Sequence, residues 1–573
     1  MATDRGRRPS LLRLLLGQAR YATRRFMRTP VAAFFTLIFP LTFLVILCAI
    51  LGNVVVDQRQ GLHLAQYLTP VFAVFGVAMA SFVSLAVHVA NDRETGVLKR
   101  LRGTPVPQWV QLAGLIASRV WVSLIAVVLL TVAGVVFYDV QVVWRRLPAL
   151  LMTLIVGVSC FAALGLAVAS VVHSPAAVQG ITTAILIPLS FISDIFASGN
   201  LPRGLSAVGW AFPLRHFANA MADDFNPYSP GPGIDVNHLL VMVLWGAAGA
   251  LVAVRYRSWE ARPATQQAAD RAYRGAGDDA AGTAKQTSTF LSPGRPSASS
   301  LLRGQTRYAL RSLLRDRGAL FFAMIFPLLL LIFFCQTNPG VSWRGVPLPQ
   351  FATAVFAVYG IAVATYVTLS QAVSVAQERG LLKRLGGTPL PLWAYLAGRI
   401  GAAFVVAAAT VALLFAVGVA FFDVHLAIAR LPATILAFAV GTATVTALGL
   451  TLAILLRSSR AVSAVALGTL LPLAFISDIF LLTPSLPPVL SAIGWFFPLR
   501  HFANAVFEAT DPRGTDWGPW WGHIAYLVVW AIIAALVAWR LYGGGSTARE
   551  GSRRRRPGSA MQPGRVSRHD HDS

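Results

Sequence analysis

Charged residues are scarce in this sequence. Aspartate, glutamate, lysine and arginine make up 12% of its 573 residues, and 56% are hydrophobic, whereas about a quarter of a soluble protein is charged. Charge is absent from whole stretches, such as Val31 to Leu51 and Leu64 to Ala90. Since roughly 20 helical residues cross a bilayer core, these stretches predict membrane-spanning helices. Core helices of a soluble protein would need polar faces, which these stretches lack.

Cysteine is nearly absent as well. Cys48, Cys160 and Cys335 each lie alone inside an apolar stretch, so neither a disulfide framework nor a cysteine zinc site is expected.

Motifs for catalysis and nucleotide binding are missing from the sequence. No Gly-x4-Gly-Lys-Ser/Thr loop occurs, and the nearest match, Gly277 to Thr283, lacks the lysine. Zinc-protease and nucleophile-elbow motifs are also missing. His569 and His571 alternate with aspartates, and we expect them to be solvated rather than metal-bound. The chain itself is therefore expected to be no enzyme and to bind no cofactor or metal.

Acidic residues are outnumbered by basic ones, 23 against 48. The arginines crowd the first 28 residues and the tail around 553–556, which suits cytoplasmic segments beside anionic lipid better than nucleic-acid binding. We therefore predict a multi-pass protein of the plasma membrane with both termini in the cytoplasm. Arg145 and Arg146 go against this placement, because they fall on the opposite side.

The chain contains a tandem duplication. The hexapeptide Phe191–Phe196 recurs letter for letter as Phe475–Phe480, at an offset of 284 residues. The octapeptide Pro213–Ala220 recurs as Pro498–Ala505, at an offset of 285. Matches this long in nearly constant register indicate two copies of one unit.

Each copy predicts six spans, so the expected fold is an all-α polytopic membrane protein with about 12 transmembrane helices in two parallel six-helix repeats. The predicted spans are 31–51, 66–90, 115–137, 147–172, 176–196 and 237–256, then 318–336, 350–376, 399–422, 431–456, 461–482 and 523–541. An even number of spans gives both copies the same orientation. Parallel copies place a pseudo-twofold axis along the membrane normal, with a pathway between them.

The predicted organisation has four parts: a first six-span unit (1–259), a linker (260–300), a second six-span unit (301–543) and a basic tail (544–573). The linker is rich in Ala, Gly, Ser, Gln and Asp and has no apolar periodicity, so we expect it, like the tail, to be flexible or disordered and cytoplasmic. Each unit opens with a basic amphipathic stretch, 11–28 and 301–317, which predicts a helix lying in the headgroup plane.

The loop after the second span repeats a fixed order of residues. Glu94, Gly96, Leu98, Lys99 and Arg100 correspond to Glu378, Gly380, Leu382, Lys383 and Arg384, and both versions end in Gly-Thr-Pro. A loop that only sets topology needs positive charge but no fixed order. Glycine and proline predict a short helix between them, with leucines as an apolar face and charges as a rim for docking onto a partner.

At these residues both copies resemble the permease of the ABC type-2 transporter family, which has a similar loop ending in Thr-Pro. The resemblance continues with Pro-Leu at 188–189 and 472–473, and with Phe-Pro-Leu at 212–214 and 497–499. It implies that the loop residues above form a coupling helix, which contacts a nucleotide-binding subunit. Family permeases usually have one six-span unit and dimerise, whereas two units are fused here.

The resemblance further implies partners and cargo. Two copies of a nucleotide-binding subunit would hydrolyse ATP with Mg²⁺. The chain would move an amphiphilic or lipid-like substrate, such as a drug, antibiotic or glycolipid, outward through the bilayer, as a multidrug or antibiotic exporter does.

Asp194 and Asp478 depart from the family pattern near the outer ends of the fifth spans. Membrane carboxylates are costly and usually face a cavity or a partner, so two symmetric ones predict a ring at the substrate exit. The alternative is that each aspartate caps the helix of the following outer loop.

Two other functions compete with the exporter. An ion-coupled secondary transporter can also have two six-helix halves, but it relies on charged residues inside its helices, and these spans are nearly free of charge. A membrane-embedded enzyme would need a convergent acid, base or metal cluster, and the sequence contains none.

Overall fold

The computed structural model describes residues 10–256 and 297–554, apart from short gaps at 59, 105, 173, 197–200, 230, 232, 386, 389, 457, 481–485 and 515–519. Most of the predicted linker and the tail beyond 554 lie outside the described residues. Eleven helices in the described part are long and apolar enough to cross a membrane. The predicted all-α polytopic fold is therefore confirmed, with eleven candidate spans where the sequence predicts about twelve.

Within the described residues the two units repeat the same ten helices, so that each helix of the first corresponds to the helix numbered ten higher. The first unit contains α1 (Leu11–Met27), α2 (Pro30–Leu51), α3 (Leu64–Glu94), α4 (Val97–Arg102), α5 (Gln108–Tyr138), α6 (Leu147–Val171), α7 (Pro175–Ile192), α8 (Arg203–Ala211), α9 (Pro213–Phe225) and α10 (Val236–Arg255). The second contains α11 (Ala298–Arg315), α12 (Gly318–Thr337), α13 (Leu348–Glu378), α14 (Leu381–Leu385), α15 (Leu392–Phe422), α16 (Leu431–Leu455), α17 (Ser459–Ile476), α18 (Pro488–Phe496), α19 (Pro498–Thr510) and α20 (Trp520–Arg554).

Short antiparallel strand pairs join the first two spans of each unit: β1 (Val55–Asp57) with β2 (Leu62–His63), and β3 (Ser342–Trp343) with β4 (Val346–Pro347). The predicted span that falls short is α7, whose apolar part Ala177–Ile192 is shorter than the other spans. Its twin α17 does qualify as a span.

The second span forms the centre of each unit, since nearly every residue of α3 and α13 is buried. Gly76 and Gly360 let the first span approach closely. A methyl group there would lie 2.5 Å and 2.7 Å from the carbonyl oxygens of Thr36 and Ala323. Small residues at such crossings are what allow helix backbones to touch in a membrane protein.

The two units contact each other reciprocally. The first span of each packs against the fifth span of the other, α2 against α17 and α12 against α7. At the second of these crossings Gly180 and Gly318 bring the backbones together. Reciprocal contacts are the signature of an isologous interface, and they agree with the predicted pseudo-twofold axis.

Two predicted boundaries need correction. Helix α11 begins at Ala298, inside the predicted linker, because the Ser297 hydroxyl caps it by accepting the Ser300 N–H. Helix α20 continues to Arg554. Residues 544–554 are therefore helical, whereas the sequence predicted a disordered tail from 544.

Arg146, one of the two arginines that go against the charge rule, has a structural explanation. Arg146 is buried and donates hydrogen bonds to the backbone carbonyls of Asp223, Ser229 and Gly231. The equivalent Arg430 donates to the carbonyl of Glu508 at 2.8 Å. These arginines hold a loop in place, so their charge is used inside the protein rather than at the lipid surface.

Candidate functional site

Helices α4 and α14 confirm the short helix predicted after each second span. The chain reverses at Gly96 and Gly380, whose φ angles of +71° and +67° are in the left-handed region that favours glycine. Six and five helical residues follow, and each helix stops before the Gly-Thr-Pro sequence. We call this end of the bundle the α4 end, and the opposite end the α9 end.

The predicted contact residues fall on two sides of these helices. Glu94, Lys99, Arg100, Glu378 and Arg384 are exposed, whereas Leu98 and Leu382 are half-buried; the side chain of Lys383 lies outside the described part.

Leu98 packs against an inner cluster that includes Val89 and Ala169. One face of this six-residue helix is thus turned toward its own protein, and the predicted contact of Leu98 with a partner stays a prediction. The surface that α4 offers to a partner is charged.

In the first unit, the end of α3 is fastened to two other helices. The Asp92 carboxylate accepts a hydrogen bond of 2.7 Å from Arg25 of α1, and this bond holds the pKa of the Arg25 guanidinium above its ordinary value. Arg93 donates to the carbonyls of Ala169 and Val172 at 2.7 and 2.6 Å, which closes the C-terminal end of α6. Movement of α4 would therefore be passed to α1 and α6.

In the second unit, the fastening is different. The Glu378 carboxylate accepts the backbone N–H and the hydroxyl of Ser459, both at 2.7 Å, and so caps the start of α17. Glu94 has no equivalent bond available, because Pro175 replaces Ser459 and proline has no N–H. Alanine and glutamine, at 376 and 377, replace Asp92 and Arg93.

Asp194 and Asp478 lie just after α7 and α17, with left-handed φ angles of 60° and 61°. Asp194 forms an ion pair of 2.7 Å with Arg215 of α9. Asp478 pairs with Arg500 of α19 at 3.1 Å and with Arg344 at 3.6 Å. Each carboxylate thus already has a counter-ion, which favours a structural role; the predicted exit ring stays a prediction.

Sequence reasoning missed these arginines, although both stand in the repeated octapeptide. Arg215 and Arg500 also lie over the rings of Trp210 and Trp495, 4.7 and 4.6 Å from the ring centroids. The cation–π contact helps to hold each guanidinium against its aspartate.

Aromatic rings close the boundary between the units beside these ion pairs. Two of the ring contacts that cross the boundary join Phe43 to Phe475 at 4.2 Å and Phe191 to Phe333 at 5.1 Å between ring centroids. Phe196 and Phe480 continue the contacts within each unit. We call these six residues the aromatic seam.

Comparison with known proteins gives the same picture of two equivalent units. Residues 18–225 and 302–509 each match the ABC-2 type transporter family, from α1 to α9 and from α11 to α19, and together they make up most of the chain. The daunorubicin resistance ABC transporter permease protein DrrB1 of Streptomyces coeruleorubidus is 28% identical over 214 residues, which are 35% of this chain and 70% of that protein. The chain therefore belongs to the ABC-2 type transporter family, as a permease in which two membrane units are fused.

Proposed function

We propose that this permease exports an amphiphilic or lipid-like molecule, such as a drug, antibiotic or glycolipid, across the plasma membrane. ATP would be hydrolysed by two separate nucleotide-binding subunits, which bind α4 and α14 on the cytoplasmic side, where both termini also lie. The observation that carries the proposal is the recurrence of the same short, exposed helix at the same place in both units.

A fixed shape distinguishes these helices from simple connections. A loop that only joins two spans needs neither a left-handed glycine nor a helix, whereas a docking element gains affinity from being preorganised. The exposed Lys99, Arg100 and Arg384 give the element a positive surface. We therefore expect the nucleotide-binding subunits to present acidic groups to it.

The two fastenings suggest how force would travel. A push on α14 moves Glu378 and with it the start of α17, which packs against α2 of the other unit. A push on α4 moves Asp92 and Arg93, and so acts on α1 and α6 within the first unit. In this proposal the second unit moves the boundary between the units directly, and the first unit does so through its own bundle.

The aromatic seam lies where the pathway is expected. Its rings touch across the boundary, so the boundary is closed at this level. Rings with apolar faces suit the apolar part of an amphiphile once the units move apart. The daunorubicin resistance named for the relative supports a drug-like cargo.

Vesicle transport together with co-purification tests the proposal. The chain should co-purify with a separately encoded ATPase, and uptake of a fluorescent amphiphilic drug into inside-out vesicles should require ATP. The double variant Lys99→Glu/Arg100→Glu should release the ATPase and stop uptake. The control Arg203→Glu reverses an exposed charge at the α9 end and should leave both unchanged.

A different result would point to another mechanism. Uptake that continues without ATP and collapses when the proton gradient is removed would contradict the proposal and favour an ion-coupled transporter.

A further inference from the structure

Three side chains with metal-binding atoms converge at the α9 end of the first unit. Asp223 at the end of α9, and Asp235 and His238 at the start of α10, place one ligand atom each within 4.8 Å of one another. The distance from Asp235 Oδ2 to His238 Nε2 is 3.7 Å. Asp235 uses its other oxygen, Oδ1, to accept the backbone N–H groups of Asn237 and His238, which fixes the carboxylate in position.

A chain of hydrogen bonds outside this group determines which ring nitrogen of His238 carries the lone pair. His216 Nε2 lies 2.9 Å from the backbone carbonyl of Trp210; a carbonyl only accepts, so this nitrogen carries the hydrogen. In neutral His216, Nδ1 is then an acceptor, and it lies 2.9 Å from His238 Nδ1, which must donate. The lone pair of neutral His238 is therefore on Nε2, the atom that faces Asp235.

This arrangement leaves electron-rich atoms pointing at one another. The gap of 3.7 Å between Nε2 and Oδ2 is too long for a hydrogen bond, so a proton does not join them. It is close to the roughly 3.4 Å that separates two ligands, each about 2.0–2.1 Å from a tetrahedral zinc ion. A histidine that donates its other N–H to a fixed acceptor is also the usual environment of a metal ligand.

We propose that Asp223, Asp235 and His238 bind one divalent transition-metal ion of the zinc class, with His216 as the residue that positions His238. One imidazole nitrogen with carboxylate oxygens suits such an ion, whereas Ca²⁺ takes six to eight oxygen ligands. The side chains of His238 and Asp235 are 13% and 38% exposed, so an ion can enter from solvent. Bound there, it would join α9 to α10 beside the ion pair of Asp194.

The second unit offers a comparison within the same chain. It repeats the histidine pair, with 2.9 Å between His501 Nδ1 and His523 Nδ1, and Glu508 lies 3.7 Å from His523 Nε2. Trp520 stands where the first unit has Asp235. Among the described residues, the second unit thus brings one carboxylate to its histidine where the first brings two.

Cobalt binding to the full-length chain tests the site, because Co²⁺ in a tetrahedral site absorbs visible light strongly. The protein would carry no polyhistidine tag, and His569 and His571 would be replaced by alanine so that the tail contributes no imidazole. We expect one equivalent of Co²⁺ with tetrahedral absorption, displaced by Zn²⁺. Asp223→Asn and His238→Gln should abolish this spectrum, and His216→Phe should weaken binding about 10- to 100-fold, as loss of such a partner usually does.

Glu508→Gln changes the equivalent carboxylate and should leave the stoichiometry and spectrum unchanged. X-ray absorption of the zinc-loaded chain, with only the tail histidines replaced, gives a test that does not depend on whether the site variants fold; it should show one imidazole and otherwise oxygen ligands. A chain that retains no metal, a site with two or more imidazoles, or binding unaffected by Asp223→Asn would overturn the proposal. Equal loss in Glu508→Gln would overturn the assignment to the first unit.

Discussion

Replacing Asp478 with asparagine should destabilise the second unit. The side chains of Asp478 and Arg500 are only 8% and 7% exposed, and removing one partner of a buried ion pair costs about 3–5 kcal/mol. Asparagine keeps the shape of aspartate and tolerates a left-handed backbone, so the loss would come from the charge. Arg344, 3.6 Å from the same oxygen, would lose its counter-ion too.

The first unit supplies a graded comparison. Asp194 and Arg215 are more exposed, at 18% and 11%, and Asp194 pairs with this arginine alone among the described residues. Asp194→Asn should therefore cost less, about 2 kcal/mol, which is typical of a hydrogen bond to a charged group. The first result to examine is whether Asp478→Asn lowers the stability more than Asp194→Asn does.

Thermal unfolding can be followed with a thiol-reactive dye, because Cys48, Cys160 and Cys335 are all buried and become reactive on unfolding. The double variant Asp478→Asn/Arg500→Gln removes both charges and should recover most of the stability, since neutralising both partners leaves no unpaired buried charge. Its transport, measured well below the unfolding temperature, should also recover.

Two results would refute this reasoning. One is Asp478→Asn with unchanged unfolding but abolished transport. The other is a double variant with restored stability and no transport. Either would mean that the carboxylate acts on the substrate, as the exit-ring interpretation requires.

Two further predictions each compare two positions in the chain. Glu378→Ala removes the cap of α17 and should cost about 1 kcal/mol of stability, whereas Glu94→Ala has no such bond to lose and should leave the unfolding temperature unchanged. In a coupled ATPase and transport assay, Glu378→Ala should lower the transport obtained per ATP hydrolysed more than Glu94→Ala does. Equal losses of stability would contradict the asymmetric fastening. Gly441→Ala places a methyl group against the buried ring of Phe502 and should cost about 1–3 kcal/mol by overpacking. Gly304→Ala in α11 meets open space and should stabilise the protein by about 0.5–1 kcal/mol. In dye-monitored unfolding, the first variant should lower the unfolding temperature and the second should raise it. A change in the same direction for both would contradict the packing described for these helices.

The spans could be predicted because a bilayer demands length and apolarity that are visible in the sequence. The stretch from Val31 to Leu51 became α2, Pro30–Leu51, with one residue of difference. The duplication and the short helices could be predicted as well. Repeated peptides, and a glycine followed by Gly-Thr-Pro after a short segment, can be recognised without knowing which distant residues are in contact.

Contacts between distant residues could not be predicted in this way. Arg215 reaches Asp194 only because α8 turns the chain back, and no local pattern encodes that turn. The inward side of Leu98 depends on which surface of a six-residue helix meets the bundle. The different fastening of the two units did leave a trace, because Pro175 stands where the second unit has Ser459, and an aligned comparison of the copies would have revealed it.

Cross-linking from the short helices tests the central claim most directly. A photoreactive residue at Lys99, and in a second variant at Arg384, should cross-link to a separately encoded ATPase when cells expressing both proteins are illuminated, and the same residue at Arg203 should not. Cross-links from Lys99 and Arg384 to lipid alone, or labelling of both positions by an impermeant reagent outside intact cells, would contradict the account.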